Sequence, residues 1–140
     1  MKLLIASDIH GSAYWCSRLM DAYKEEKADR MILLGDILYH GPRNALPREY
    51  DPQSVSDLLN PLSDRILCVR GNCDALRKED VVLSGHTHIP ITEPTDGGLY
   101  FNPGSVSIPK NGSKNGYMTL ENGLFIWKSF EEGEYARYQL

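Results

Sequence analysis

Residues 70–88 read RGNCDALRKEDVVLSGHTH and bring Asn72, Cys73, Asp74, His86 and His88 close together in the chain. Amide, carboxylate, imidazole and thiol groups bind cations or move protons. Three more such groups lie upstream: Asp8 and His10 in SDIHGS, and Asp36 in LLGDILYHG. Each has an ordinary alternative, since an Asp after a strand often caps a helix or fixes a turn, and a lone His is often a hydrogen-bonded surface residue. Together they form the set Asp, His, Asp, Asn, His, His. Mixed imidazole and carboxylate donors suit Mn, Fe, Zn, Ni or Co better than Ca or Mg alone. Two Asp and three His exceed what one tetrahedral ion needs, whereas two ions bridged by one carboxylate would use them all. Paired ions about 3.5–4 Å apart hold both the attacking and the leaving oxygen of an in-line displacement at phosphorus, and they lower the pKa of a bridging water towards neutrality.

Each of these groups follows an apolar run. KLLIA (2–6), RMILL (30–34), RILCV (65–69) and VVL (81–83) read as buried strands, each ended by a polar loop. Residues 12–26 set Trp15, Leu19, Ala22 and Tyr23 on one helical face, with Ser12 as N-cap. Asp51 and Pro52 suit the N-cap and first turn of a second helix, with Val55, Leu58, Leu59 and Leu62 as its apolar stripe. The order βαβαβ predicts parallel strands joined by right-handed crossovers. Ligands of open parallel sheets bind outside the carboxyl ends of the strands, where all six candidates lie. Beyond Leu83, the runs GGLYFNPGSVSIP, NGYMTL, GLFIWKSF and EYARYQL read as antiparallel strands, with turn signals at Asn111–Gly112 and Asn115–Gly116. The fold class is α/β, in one domain over residues 1–140.

Composition agrees with a soluble domain: 140 residues, 41% apolar and 24% charged. A net charge of −4 without a Lys/Arg cluster argues against stable nucleic-acid binding. MKLLIASD is too short for a signal-peptide core, and no segment has membrane-spanning length. Three cysteines, an odd number, argue against a disulfide framework and for the cytoplasm.

DIHG (8–11), GD (35–36), GNCD (71–74) and GHTH (85–88) resemble, in order, the D-x-H, G-D, G-N-[HC]-[DE] and G-H-[TS]-H blocks of calcineurin-like metallophosphoesterases. LGDILYHGPRNALPREYDP, VRGNCD and FNPGSVSIPK extend the resemblance to the small bacterial YfcE-type phosphodiesterases. It implies a β-sandwich with flanking helices, parallel strands first and antiparallel strands last. It also implies a phosphodiesterase acting on a small phosphodiester through a hydroxide that bridges two divalent ions. The metal is expected to be Mn²⁺, with Zn²⁺, Fe, Ni²⁺ or Mg²⁺ as alternatives. Asp8, His10, Asp36 and His88 would hold one ion and Asn72 and His86 would serve the other, with Asp36 bridging.

Cys73 occupies a position where many members carry a His that contacts the phosphate or protonates the leaving group. A thiol, with an ordinary pKa near ~8.5, is a different acid. Cys73, Asp74 and His86 are the catalytic candidates, with a spectator role for Cys73 as the alternative. Asn72, Arg43 and Asn44 are the substrate-contact candidates, the last two in a long Pro-containing loop that would serve equally as a rigid lid. His40 reads as a loop residue, and Asn102 as a support beneath the metal loops. Tyr100, Phe125, Trp127 and Tyr135 are candidates for a surface that joins two copies. Two other functions fit the same residues: a non-catalytic protein-binding scaffold on this fold, and a phosphomonoesterase.

One feature departs from the family pattern. Only Ala75–Asp80 separate GNCD from the next apolar run. Parallel neighbours in one sheet need a crossover of about a dozen residues or more. The resemblance implies one further βα unit here, so that roughly 35–50 residues are absent around Ala75–Lys78, including another metal-binding His.

Overall fold

The computed structural model describes residues 1–41, 44–68, 81–94 and 99–140. Among the described residues, eight strands and two α-helices follow one another as β1 (Leu3–Ala6), α1 (Ala13–Glu25), β2 (Arg30–Leu33), α2 (Pro52–Leu59), β3 (Ile66–Cys68), β4 (Val81–Leu83), β5 (Leu99–Phe101), β6 (Gly116–Glu121), β7 (Leu124–Ser129) and β8 (Gly133–Gln139). Six strands form a sheet in the order β3-β2-β1-β6-β7-β8. Its first three are parallel, with Leu4 opposite Met31 and Ile32 opposite Leu67. β6, β7 and β8 continue it antiparallel.

Side chains alternate across a strand, so β1 supplies both faces of the sheet. Leu4 and Ala6 face one core with Met31, Leu33, Tyr117 and the buried stripe of α1, Cys16, Leu19, Met20 and Tyr23. Ile5 faces another, with Phe101, Met118, Phe125 and Trp127. This second core is closed by the two-stranded sheet β4-β5, giving helices, sheet and small sheet as successive layers.

Both helix starts are capped as the sequence predicts. The Ser12 hydroxyl accepts from the Trp15 amide, and the Asp51 carboxylate accepts from Gln53 and Ser54 with Pro52 in the first turn.

Three expectations need correction. β5, expected to be antiparallel, pairs parallel with β4, Val82 opposite Tyr100. The fourth apolar run therefore lies in the second sheet, not beside β3. Of the Asn115–Gly116 turn signal only Asn115 lies at a bend; Gly116 opens β6, where a Cβ would run into the Lys128 carbonyl. The β6–β7 turn is instead Asn122–Gly123, whose φ values of 50° and 77° suit a tight primed hairpin. Finally, Phe125 and Trp127 are core residues with 1% and 0% exposure and are not available to join two copies.

Candidate metal centre

The carboxyl ends of β1 and β2 are laced by main-chain bonds. The Leu34 amide donates to the Ala6 carbonyl, Asp8 to Gly35 at 3.2 Å, His10 to Asp36 at 2.8 Å and Gly11 to Ile37 at 2.8 Å. The loop after β4 reaches the same rim and brings His86 and His88. Asp8, His10, Asp36, His86 and His88 all have left-handed backbones, with φ between 50° and 69°. Outside glycine such angles are uncommon and cost on the order of 1–3 kcal/mol each, and they gather at sites that the surrounding structure over-determines.

Four side chains converge. One donor atom each from Asp8, His10, Asp36 and His88 lies within 4.8 Å of the others. His88 Nε2 is 3.1 Å from Asp8 Oδ1, His10 Nε2 is 3.6 Å from the same oxygen, and the two Nε2 atoms are 3.0 Å apart. Each ring's other nitrogen is committed: His10 Nδ1 donates to the Tyr39 carbonyl at 2.8 Å and His88 Nδ1 to the Ile108 carbonyl at 2.7 Å. In the neutral tautomers both Nε2 lone pairs therefore face one point, beside a buried Asp8 Oδ1 that accepts no hydrogen bond. Acceptors aimed at acceptors are repulsive unless a cation lies among them, and buried carboxylates rarely go unpaired. The donor set fits a divalent transition-metal ion.

The imidazoles respond differently to this setting. Burial pulls His10 down, but the Asp8 carboxylate 3.6 Å away, the Tyr39 carbonyl and the charge of Asp36 outweigh it, leaving its pKa above the ordinary value. At His88 burial prevails and the pKa falls.

A strap over residues 102–110 supports the cluster from beneath. Ser105 and Ser107 donate their hydroxyls to the Asp8 carbonyl at 3.1 and 2.9 Å. The Lys110 amide donates to the His88 carbonyl. Asn102, fully buried, donates its amide towards Gly85 O at 3.2 Å and Thr87 Oγ1 at 3.1 Å, and accepts from the Gly104 amide at 2.8 Å. It thus pins GHTH and its own turn, the supporting role expected of it. Trp127 Nε1 donates to the Asn102 carbonyl at 2.8 Å, joining strap to core.

His86 stands apart from the four. Its ring is 91% exposed with Nδ1 3.4 Å from Asp36 Oδ2, while its backbone amide donates to Asp8 Oδ2 at 3.3 Å. Asn44 spends its side-chain amide on the His40 carbonyl, 2.8 Å away. Asn72, Cys73, Asp74 and Arg43, together with the short Ala75–Asp80 link, lie outside the described residues. Sequence reading missed Tyr39 and Ile108, which act through main-chain carbonyls, and Ser105 and Ser107. Only the resemblance of FNPGSVSIPK marked the strap.

A family model described as calcineurin-like phosphoesterase matches residues 1–80, and a second, the calcineurin-like phosphoesterase superfamily domain, matches residues 75–123. The chain is 36% identical to the phosphodiesterase YfcE of Escherichia coli K12 over 164 positions, which cover 89% of each chain. At 89% coverage about 125 of the 140 residues here take part, so about 39 of the 164 aligned positions have no counterpart in this chain. The solved structure of the E. coli phosphoesterase YfcE superposes with a TM-score of 0.91 at 34% identity, covering 99% of this chain and 98% of that one. The zinc complex of Vps29 from Entamoeba histolytica shares the fold, with a TM-score of 0.58 at 15% identity, covering 100% of this chain and 98% of that one.

Proposed function

The chain belongs to the calcineurin-like phosphoesterase family and is a hydrolase, and we propose that it cleaves small phosphodiesters at a dinuclear metal centre. The convergence of two imidazole lone pairs and an unpartnered carboxylate oxygen on one point carries this reading. Asp8, His10, Asp36 and His88 would hold the first ion. Asp36, 44% exposed and 3.4 Å from His86 Nδ1, would serve the second as well, with His86 and Asn72 as its other donors. Mn²⁺ is the metal we expect, and the same donors accept Zn²⁺, Fe, Ni²⁺ or Mg²⁺. When bound, such ions supply Lewis acidity, letting a water ionise near neutral pH and offsetting charge on the phosphate oxygens.

The chain's own groups do the rest. The Tyr39 and Ile108 carbonyls take the Nδ1 protons and so turn both Nε2 atoms towards the site. The exposed His86 ring meets the charge that develops on the phosphate, with Cys73 and Asp74 as its catalytic partners. Arg43, Asn44 and Asn72 stand as substrate contacts, with Asn44 acting through the loop it braces. Two free cysteines, Cys16 and Cys68, favour a reducing cytoplasm, and among the described residues no helix is long and apolar enough to cross a membrane.

We further propose that residues are absent between positions 75 and 78. The two family models meet there, over residues 75–80. β3, an apolar strand of the kind parallel sheets bury, pairs only with β2 among the described residues and leaves Leu67 49% exposed. The intact mass of the protein from its source decides this: a value well above 15.8 kDa is expected, and 15.8 kDa itself refutes the proposal.

For the function, bis(p-nitrophenyl) phosphate and p-nitrophenyl phosphate are compared with added Mn²⁺. Turnover of the diester, lost together with metal uptake in Asp36→Asn, is expected. Preference for the monoester makes the protein a phosphomonoesterase, and turnover of neither makes it a scaffold.

A further inference from the structure

The segment between Asp36 and Asp51 is tied at both ends to the metal-bearing loop after β1. The His10 and Gly11 amides hold its start, and at its end the Ala13 amide donates to Glu49 O at 2.9 Å while Asp51 donates to Gly11 O at 2.7 Å. Between these ties the rings stack in a column. Tyr50 packs on Gly11, whose added Cβ would meet the Tyr50 ring at 2.6 Å. His40 stands edge-on to Tyr50 at 5.0 Å between centroids, and Tyr39 edge-on to His40 at 5.2 Å. The outermost ring, Tyr39, is 62% exposed, and Leu38, its neighbour in the chain, and Leu46, later in the same segment, are 42% and 64% exposed.

Single exposed apolar side chains need no explanation, but three in one short segment beside a reactive centre do. The Tyr39 carbonyl is the acceptor of His10 Nδ1, so this residue stands one imidazole's width from the metal-facing nitrogen. An exposed aromatic ring braced by His40 and a carbonyl bonded to a metal-site imidazole coincide at Tyr39.

We infer that Tyr39, flanked by Leu38 and Leu46, is a specificity-determining platform that stacks against the non-leaving organic group of the phosphodiester, an aryl or nucleobase-like ring. This rests on the phosphodiesterase reading above. The column beneath holds Tyr39 in place before substrate arrives, so little side-chain freedom is lost on binding. The tie to His10 runs through the main chain, so substitution of the Tyr39 side chain leaves it in place.

The test compares bis(p-nitrophenyl) phosphate with methyl p-nitrophenyl phosphate. The leaving group is the same, and only the retained group differs. Stacking of a ring on an aromatic side chain is worth about 1–3 kcal/mol. Tyr39→Ala is therefore expected to lower the kcat/KM ratio of the two substrates about 5- to 100-fold, mostly through KM, while Tyr39→Phe keeps it and metal content stays at the wild-type level in both. An unchanged ratio in Tyr39→Ala, with the wild type active, overturns the platform alone. A wild type that cleaves neither diester overturns the function on which it rests. Tyr39 is exposed and outside both cores, so the variant folds.

Discussion

His10 and His88 aim their Nε2 atoms at one another across 3.0 Å, while a main-chain carbonyl takes the Nδ1 proton of each. In the absence of a cation this arrangement is either repulsive or holds a proton between the two rings. A divalent ion removes the conflict. The apo protein is therefore expected to gain about 2.7 kcal/mol at a hundredfold excess of Mn²⁺ over its Kd, a rise of several degrees in Tm. Differential scanning calorimetry with and without Mn²⁺ measures it, and His88→Ala should lose the increment.

Metal uptake should depend on pH in a definite sense. A proton on His10 competes with the ion, and His10 titrates above its ordinary 6.5. Affinity is expected to weaken as pH falls, beginning above 6.5 and steepening below it. Isothermal titration between pH 5.5 and 8 follows this, and a flat affinity across the range speaks against an imidazole-rich site.

Ser107→Ala and Ser105→Ala remove hydroxyls from the buried Asp8 carbonyl. The Asp8 carbonyl keeps only the Ser107 amide, 3.4 Å away; a buried acceptor that loses its donors costs up to about 1–3 kcal/mol, and loss of such outer support typically weakens metal binding about 10- to 100-fold. The double variant should fold with reduced stability in urea and bind Mn²⁺ more weakly. Stability loss with unchanged metal affinity would show that the strap serves the fold alone.

Glu26 lies away from the site and tests a different part of the molecule. It accepts from Lys2 Nζ at 2.8 Å and Tyr117 Oη at 3.0 Å, and it pairs with Lys128, joining α1 to β6 and β7. Burial raises its pKa, but Lys128 and Lys2 overcome that and the pKa settles below its ordinary 4.5. A depressed folded-state value adds stability above the unfolded pKa and loses it as pH falls through the folded one. Glu26→Gln should therefore destabilise by about 1–3 kcal/mol at pH 7, with wild type and variant converging as pH falls through the depressed Glu26 pKa while phosphoesterase activity at pH 7 persists.

Much of this was written plainly in the chain. β1 and β2 are continuous apolar runs because both faces of the sheet are covered, and each ends at an Asp or His whose backbone must turn left-handed. Ser12 and Asp51 announced both helix starts because capping is local chemistry. Other features carried no such signal. Leu99–Phe101 is only three residues long, and nothing in so short a run tells parallel from antiparallel pairing. The Tyr39 and Ile108 carbonyls are main-chain groups, so residue type does not mark them. His86 and His88 look equivalent in GHTH, yet one ring is exposed and the other buried, because Asn102 and the Ile108 carbonyl fix the loop from below.

The most direct measurement is the anomalous difference map of a crystal soaked in Zn²⁺. The account predicts a peak within about 2.0–2.2 Å of donor atoms of Asp8, His10, Asp36 and His88. A fully loaded crystal with no peak among those four side chains would contradict it.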